Sequence, residues 1–431
     1  DEAMAALSHT LSATRILPAQ GWQERISGGN PHGPAEEFLG LTRGQVYARD
    51  KNADGPYDLE TAAHPPVENL VEAAKELADA LGEFSRPIKR LVQILTEKLD
   101  DEADELDTST RQRIEAICKS LERRCIAQTT AWRSMLENLA DETPEDFVDF
   151  MSVERYQGRD YDTGLHRHFV DPVKPFAEQV LDASHGALIT SATLRDETNW
   201  DSATARTGLD YMAAPPSQAA VPSPFDYVSQ TRVYVVSDID KNNPDQLATA
   251  YRELMAASGG GALGLFTSIF RLRQVHERLS AAPEMEKLML LAQHVDPLDT
   301  GTLVDIFRAE ENACLLGTDA VRDGIDVPGR ALRLVVYDRV PWPRPTILHK
   351  ARKKDFEAKH SGAKYDDMLT RLRLKQAFGR LIRRADDHGV FVMLDRAMPS
   401  RLQGALPEGV EVHKIGLADV ISETKEFLGS R

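Results

Sequence analysis

Four residues near the end of the chain have the types and spacing to meet a polyanion. They are Gln376, Arg380, Arg383 and Arg384, in "KQAFGRLIRRADDHGVFVMLDR" (375–396). Helical offsets of four and seven residues would put Gln376, Arg380 and Arg383 on one face. Leu374, Phe378, Leu381 and Ile382 would supply the buried side. An ordinary solvated helix scatters its charges among carboxylates, whereas this stretch concentrates guanidinium groups just before an apolar strand. It closes a longer basic region: Arg344 to Arg384 holds 13 Lys and Arg against 4 Asp and Glu, a local balance of +9 in a chain of net charge −16. Such a region attracts polyanions. Two blander readings stand beside this one, a solvated basic face and arginines paired with Asp386 and Asp387.

The elements that must position these residues are bounded by the bulk numbers. With 431 residues the chain is long enough for two or three domains with their own cores. No run approaches the roughly 20 apolar residues of a membrane span. The opening "DEAMAALSHT" has no basic n-region or apolar h-region, and without an initiator Met it suits a piece of something longer. Cys118, Cys125 and Cys314 are odd in number and scattered, which predicts a reducing, cytoplasmic setting. They are too few to hold an iron–sulfur cluster within this chain. The acidic net charge argues against a protein that coats nucleic acid generally, so any anionic partner must be gripped locally.

Three zones follow one another. Residues 1–145 read as helical: Leu70, Ala74, Leu77, Leu81, Ile88, Leu91, Leu95 and Leu99 fall at helical spacing, with a break or kink expected at Pro87. A second helical stretch has Ile114, Ile117, Leu121, Trp132, Leu136 and Leu139 as its apolar side and Thr108 or Ser109 as N-cap. Together they predict a helical hairpin or small bundle with Trp132 in its core. Residues 146–196 turn to strands, "DFVDFMSVER", "GLHRHFVDP" and "HGALITSATL"; His166 and His168 there have no further metal ligands nearby and read as structural. Residues 197–431 alternate strands ("RVYVVSD", "ALGLFTS", "LMLLAQHV", "NACLLGT", "ALRLVVYD", "GVFVMLD", "GVEVHKI") with amphipathic helices. That pattern predicts an α/β fold, a mostly parallel sheet covered by helices on both faces. Ligands of such sheets gather at the carboxyl ends of the strands.

Four segments stand in a fixed order: "GALITSATL" (186–194), "GGALGLFTSIFRLRQV" (260–275), "NACLLGTDAVRDGIDVPGRALRLVVYDRVPWP" (312–343) and "KQAFGRLIRRADDHG" (375–389). In that order they resemble motifs III, IV, V and VI of superfamily 2 helicases, in the DinG/XPD-like branch, and "SPFDY" (223–227) resembles a segment DinG-like proteins carry after motif III. The resemblance covers about residues 150 to 420. Each piece alone is weak, and Ser12-Ala13-Thr14 is a decoy because no apolar strand leads into it. The resemblance implies a RecA-like helicase lobe over 197–431, strands of a first lobe over 146–196, and an arch-like helical insertion over 1–145.

It also implies roles. Arg380 and Arg383 would act as arginine fingers on a γ-phosphate, offsetting charge that spreads over phosphoryl oxygens in the transition state. Gln376 would hold nucleotide or position Arg380, and Gly379 would allow close packing. Asp326 would bind near the nucleotide ribose or its metal–phosphate region, with Gly324 permitting a tight backbone. Where this chain has Asp323 the family more often has Glu. Ser191 and Thr193 resemble the hydroxyl pair that couples nucleotide state to domain movement. Thr267, Ser268 and Thr318 would donate to DNA phosphates, and Trp342 would stack a base or pack.

The chain has no G-x-x-x-x-G-K-[ST]. "SGGGALGLF" precedes a strand instead of following one, so it is no phosphate loop. ATP and Mg²⁺ would therefore be bound mainly by a lobe upstream of Asp1 or on another chain. "DEAM" at the start reads either as a DEAH-like motif or, more simply, as part of an amphipathic helix. The expectation is the carboxy-terminal part of an ATP-dependent DNA helicase, moving 5′→3′ on single-stranded or forked DNA in repair or replication. It would be a monomer, away from membranes, and inactive alone. The alternatives are a helicase-like module that binds DNA or protein without chemistry, and a two-lobed NTPase that is not a helicase.

Overall fold

In the first part of the chain a single apolar stripe organises the helices. The computed structural model describes residues 2–50, 55, 57–156, 158–195, 200–324, 326–360, 362 and 364–429. It divides into two units, Asp1–Pro172 with Pro345–Asp355, and Val173–Arg344 with Phe356–Arg431. In the first unit a 32-residue helix, Leu70–Asp101, runs past Pro87 without a break. Proline removes one backbone donor, and the buried Leu81, Ile88 and Leu91 on either side hold the helix through that gap. Against it pack Thr108–Leu121 and Ala127–Glu137, joined by a π-helical turn at Glu122–Ile126. The N-cap is Asp107, not Thr108 or Ser109: its Oδ1 accepts from Thr110 N–H at 3.0 Å, the stronger acceptor winning the position. Ile117 and Trp132 are 49% and 41% exposed, contrary to expectation: the packed side of the first helix runs through Ile114 and Cys118, and that of the second through Thr129 and Leu136.

Three antiparallel strands complete this unit in the order β1 (Leu59–Ala62), β2 (Phe147–Tyr156) and β3 (Arg159–Phe169). Leu59, Met151 and Val153 alternate into a core shared with Phe38, Leu70 and Leu77. His166 Nε2 lies 2.7 Å from Ser152 Oγ and its ring stacks on Phe150.

The second unit is built on seven parallel strands: β4 (Thr231–Val236), β5 (Ala262–Leu265), β6 (Met289–Ala292), β7 (Ala313–Gly317), β8 (Leu334–Tyr337), β9 (Gly389–Met393) and β10 (Val412–Ile415). Their spatial order is β10-β4-β9-β8-β5-β7-β6, every pairing parallel. Alternate residues feed two separate cores. Val233, Val235, Leu263 and Val335 face one; Tyr234, Val236, Ala262 and Val336 face the other. Burial on both faces is why these strands read as unbroken apolar runs. The α/β architecture, a parallel sheet covered by helices on both faces, preceded in the chain by a helical region, is the one the sequence pattern predicted.

One predicted strand is missing. Residues 185–194, "HGALITSATL", form none, and Leu188 is 90% exposed. An isolated extended segment leaves its amides and carbonyls unpaired, and among the described residues no strand pairs with it. Among the described residues no helix is long and apolar enough to cross a membrane.

Candidate functional site

Because all seven strands point the same way, residues that precede strands lie at one edge of the sheet and residues that follow them at the other. The predicted site residues divide between these edges. The arginine segment belongs to the amino edge. Helix Tyr365–Phe378 stops at Phe378, with Gly379 as its C-cap. Gln376 is half-buried on its last turn, while Arg380 and Arg383 lie on the loop beyond it. The single helical face expected for Gln376, Arg380 and Arg383 is therefore not formed. Turn bonds replace the helix, Arg380 N–H to Ala377 O at 3.1 Å and Leu381 N–H to Phe378 O at 3.0 Å.

Two buried side chains compete for the backbone of this loop. Asp387, 5% exposed, accepts from the N–H groups of Arg383 at 2.7 Å and Arg384 at 2.8 Å through Oδ2, and from Gly329 N–H at 3.1 Å through Oδ1. Gln230, 4% exposed, donates from Nε2 toward the carbonyls of Arg384, Ala385 and Asp387 at 3.3, 3.0 and 3.0 Å. Gly389 closes the arrangement, since a Cβ there would lie 2.7 Å from Leu381 Cδ2. From the sequence Asp387 is named only as a charge partner for the arginines, and Gln230 is not singled out. Gln230 does follow "SPFDY" by three positions, the one signal that pointed there.

Arg383 Nε lies 3.4 Å from Asp326 Oδ1, with the two side chains 33% and 77% exposed. The Asp326 carbonyl accepts from Arg308 Nε at 3.0 Å. Gly324 ends the short helix Asp319–Gly324; the side chain of Asp323 lies outside what the structure describes. Asp387 thus spends its carboxylate on backbone amides and leaves the guanidinium of Arg383 to Asp326.

The carboxyl edge carries a different chemistry. Asp338, after β8, is fully buried and paired with Arg271. Its Oδ1 accepts from Thr267 N–H at 3.2 Å, and Arg271 also donates to Lys241 O at 2.7 Å. Burial pushes the Asp338 carboxyl above its ordinary range, with Arg271 opposing. Lys241 pairs with Asp395, after β9, at 2.6 Å. Ser268 caps helix Ile269–Ser280, its Oγ accepting from Arg271 N–H at 3.3 Å, which leaves the hydroxyl proton to donate elsewhere. Thr318, after β7, gives both its N–H and its hydroxyl to Gln293 Oε1, each at 3.0 Å. Trp342 is 37% exposed under the guanidinium of Arg401 at 5.9 Å. Sequence reasoning missed Asp338, Arg271 and Gln293 as a set, though Asp338 closes the strand segment "ALRLVVYD".

Ser191 and Thr193 form a local turn, Thr193 N–H donating to Ser191 Oγ at 3.1 Å, and Arg206 donates to the carbonyl of Leu194 at 2.6 Å. The structure brings neither hydroxyl to the arginine loop, although Lys375 Nζ donates to Arg195 O at 2.8 Å. Among the described residues no group of three or more His, Cys, Asp or Glu is arranged to hold a metal.

Comparison with known proteins finds a match to the helicase C-terminal domain family over residues 251–412. The chain is 31% identical over 253 residues to the ATP-dependent DNA helicase YoaA of Escherichia coli, covering 56% of this chain and 38% of that protein. It is 34% identical over 225 residues to the ATP-dependent helicase DinG of Mycobacterium tuberculosis, covering 50% and 33%. The chain thus spans between 33% and 38% of the length of these relatives. Among solved structures, Xpd4 of S. tokodaii aligns over 96% of this chain and 74% of its own, at 12% identity and TM-score 0.49.

Proposed function

We propose that this chain, which carries the carboxy-terminal part of a DinG/XPD-like superfamily 2 helicase, serves as the second RecA-like lobe of an ATP-dependent DNA helicase. One observation carries the reading: the Arg383 guanidinium meets Asp326 at 3.4 Å on a loop whose backbone is pinned. A partly exposed pair of this kind is worth about 0–1 kcal/mol. An arginine finger on a transferring phosphoryl group is worth about 10³–10⁵ in rate. The local pair is weak enough to be exchanged for a phosphate, while the loop beneath it does not need to refold.

In this reading ATP and Mg²⁺ sit mainly on a lobe other than this one. Arg383 and Arg380 approach the γ-phosphate from the amino edge, with Gln376 beside them and Asp326 released toward the ribose or the metal–phosphate region. Gly324 and Gly379 shape the backbone, and Ser191 and Thr193 couple nucleotide state to movement. Single-stranded or forked DNA runs along the carboxyl edge, taking phosphate contacts from the hydroxyls of Thr267, Ser268 and Thr318 and a stacking contact from Trp342. Thr318 makes its contact by trading its bond to Gln293. Translocation is 5′→3′, by a cytoplasmic monomer acting in repair or replication.

The test uses the complete protein. Arg383→Ala abolishes DNA-stimulated ATP hydrolysis and leaves single-strand affinity within about twofold, because phosphate contacts set that affinity. Wild-type turnover in this variant defeats the finger assignment. Strand displacement on forked substrates separates a helicase from an NTPase that only translocates, and residues 1–431 alone hydrolyse no ATP.

A further inference from the structure

We propose that Asp387 is the positioning residue of the arginine loop, tying Arg383 and Arg384 to the turn at Gly329 so that two separate segments move as one body. The functional consequence rests on the helicase reading; the structural tie does not. One carboxylate with two oxygens serves three backbone donors: Arg383 and Arg384 on one oxygen, Gly329 on the other. Gly329 has φ +75°, a conformation glycine adopts without steric cost, and there its N–H turns toward Asp387. From the opposite side Gln230 holds the three carbonyls of Arg384, Ala385 and Asp387.

The chemistry of the loop argues for precision over bulk stability. Residues 384–386 are exposed, so water would satisfy their amides and carbonyls if the loop were free. A buried acid and a buried amide devoted to such a loop restrict its conformation. An arginine that must meet a phosphate within hydrogen-bond range gains from that restriction, because small misplacements cost large factors in rate. Asp387 also fixes where Arg383 starts: the Asp326 segment leads into the Gly329 turn it binds, so the 3.4 Å approach of Arg383 to Asp326 is set by the same carboxylate.

Asp387→Asn tests this, since the amide group keeps one acceptor oxygen and turns a donor toward backbone N–H. In the 431-residue chain, hydrogen exchange read by NMR should quicken at Arg383, Arg384 or Gly329 by about tenfold or more. The amides of β7 and β8 should stay protected. In the complete protein the variant should lose most of kcat while KM for ATP and single-strand affinity stay within about threefold. Affinity for ADP with aluminium fluoride should fall while affinity for ADP alone holds, a split that general loosening of the fold would not produce. Gln230→Ala, which frees the loop from its other side and leaves Asp387 intact, should show the same kcat-selective loss and stands in if Asp387→Asn does not fold. Unchanged exchange at all three amides overturns the tie. Quickened exchange with wild-type kcat overturns the positioning role. If Arg383→Ala itself turns over normally, the helicase reading falls instead, and the exchange data still decide whether Asp387 joins the loops.

Discussion

Replacing Arg271 by alanine takes the guanidinium away from a carboxylate that has no access to water. Asp338 is 0% exposed and its ion-pair partner is 14% exposed by side chain. What remains near it is the Thr267 N–H at 3.2 Å and Arg339 Nε at 3.8 Å. Breaking a buried pair by deleting one partner costs about 3–5 kcal/mol, and the bond from Arg271 to Lys241 O adds about 1. The surviving Thr267 and Arg339 contacts offset part of this, leaving about 3–4 kcal/mol at pH 8. For a unit of this size that lowers the midpoint of thermal unfolding by about 10 °C. Burial already holds the folded pKa of Asp338 above its unfolded value. Such a group contributes stability fully below the unfolded pKa and loses it as pH rises through the folded one. Without Arg271 the folded value climbs further, so the deficit must be smaller at pH 5 than at pH 8. Denaturant unfolding at both pH values, for wild type, Arg271→Ala and Arg271→Ala with Asp338→Asn, reads this directly. The double variant should recover much of the loss, since a neutral amide needs no counter-charge. Equal deficits at the two pH values, or a further loss on adding Asp338→Asn, would show that the pair is not what holds this edge together.

Two further outcomes follow from packing and charge. Gly317→Ala places a Cβ 2.5 Å from Val321 Cγ2 at the end of β7. It should lower the denaturation midpoint by an amount equivalent to about 1–3 kcal/mol, and an unchanged midpoint would mean the turn into helix Asp319–Gly324 relaxes freely. In the first unit, Glu36 is 1% exposed and bonded to Arg25 Nε at 2.8 Å and His32 N–H at 2.9 Å. The bond with Arg25 lowers its pKa from 4.5 to about 2. A depressed carboxylate stabilises above its unfolded pKa and fails as pH falls through the folded one. Glu36→Gln should therefore flatten the acid limb of stability between pH 4.5 and about 2, a window worth about 3 kcal/mol. An acid limb as steep as wild type would assign that dependence to other groups.

The five inner parallel strands were legible because burial on both faces forces short apolar runs between polar ends, as in "RVYVV" and "CLLG". "GALIT" has the same composition and forms no strand, since composition records what a segment is able to bury and not whether a neighbour is there to pair with it. The arginines were found by type, but their geometry was misjudged. Periodicity placed Arg383 on a helix, whereas the helix ends at Phe378 and the loop beyond it is held by Asp387 and by Gln230, 157 residues from Asp387 in sequence. Long-range side-chain bonds to backbone leave no periodic trace. The same limit hid Gln293, whose side-chain carbonyl oxygen takes both donors of Thr318. Trp132 looked like core by residue type, whereas Thr129 and Leu136 carry the packing of its helix.

The direction of the strands gives the segment from Thr318 to Gly329 a particular standing. It leaves β7 at the carboxyl edge, where Thr318 is bonded to Gln293, and it reaches the amino edge at Asp326 and Gly329, which meet Arg383 and Asp387. A strand of four or five residues separates those edges by roughly 13–17 Å, too far for direct contact between a group bound at one and a group bound at the other. Any influence of one edge on the other must pass through the sheet or along its connections. The five inner strands are buried and packed on both faces, so they resist small displacements. This connection is bonded to Gln293 at Thr318, to Arg308 at the Asp326 carbonyl and to Asp387 at Gly329, and it buries Val321 and Val327 in the core. These contacts form the direct chain route from Thr318 to the partners of Arg383.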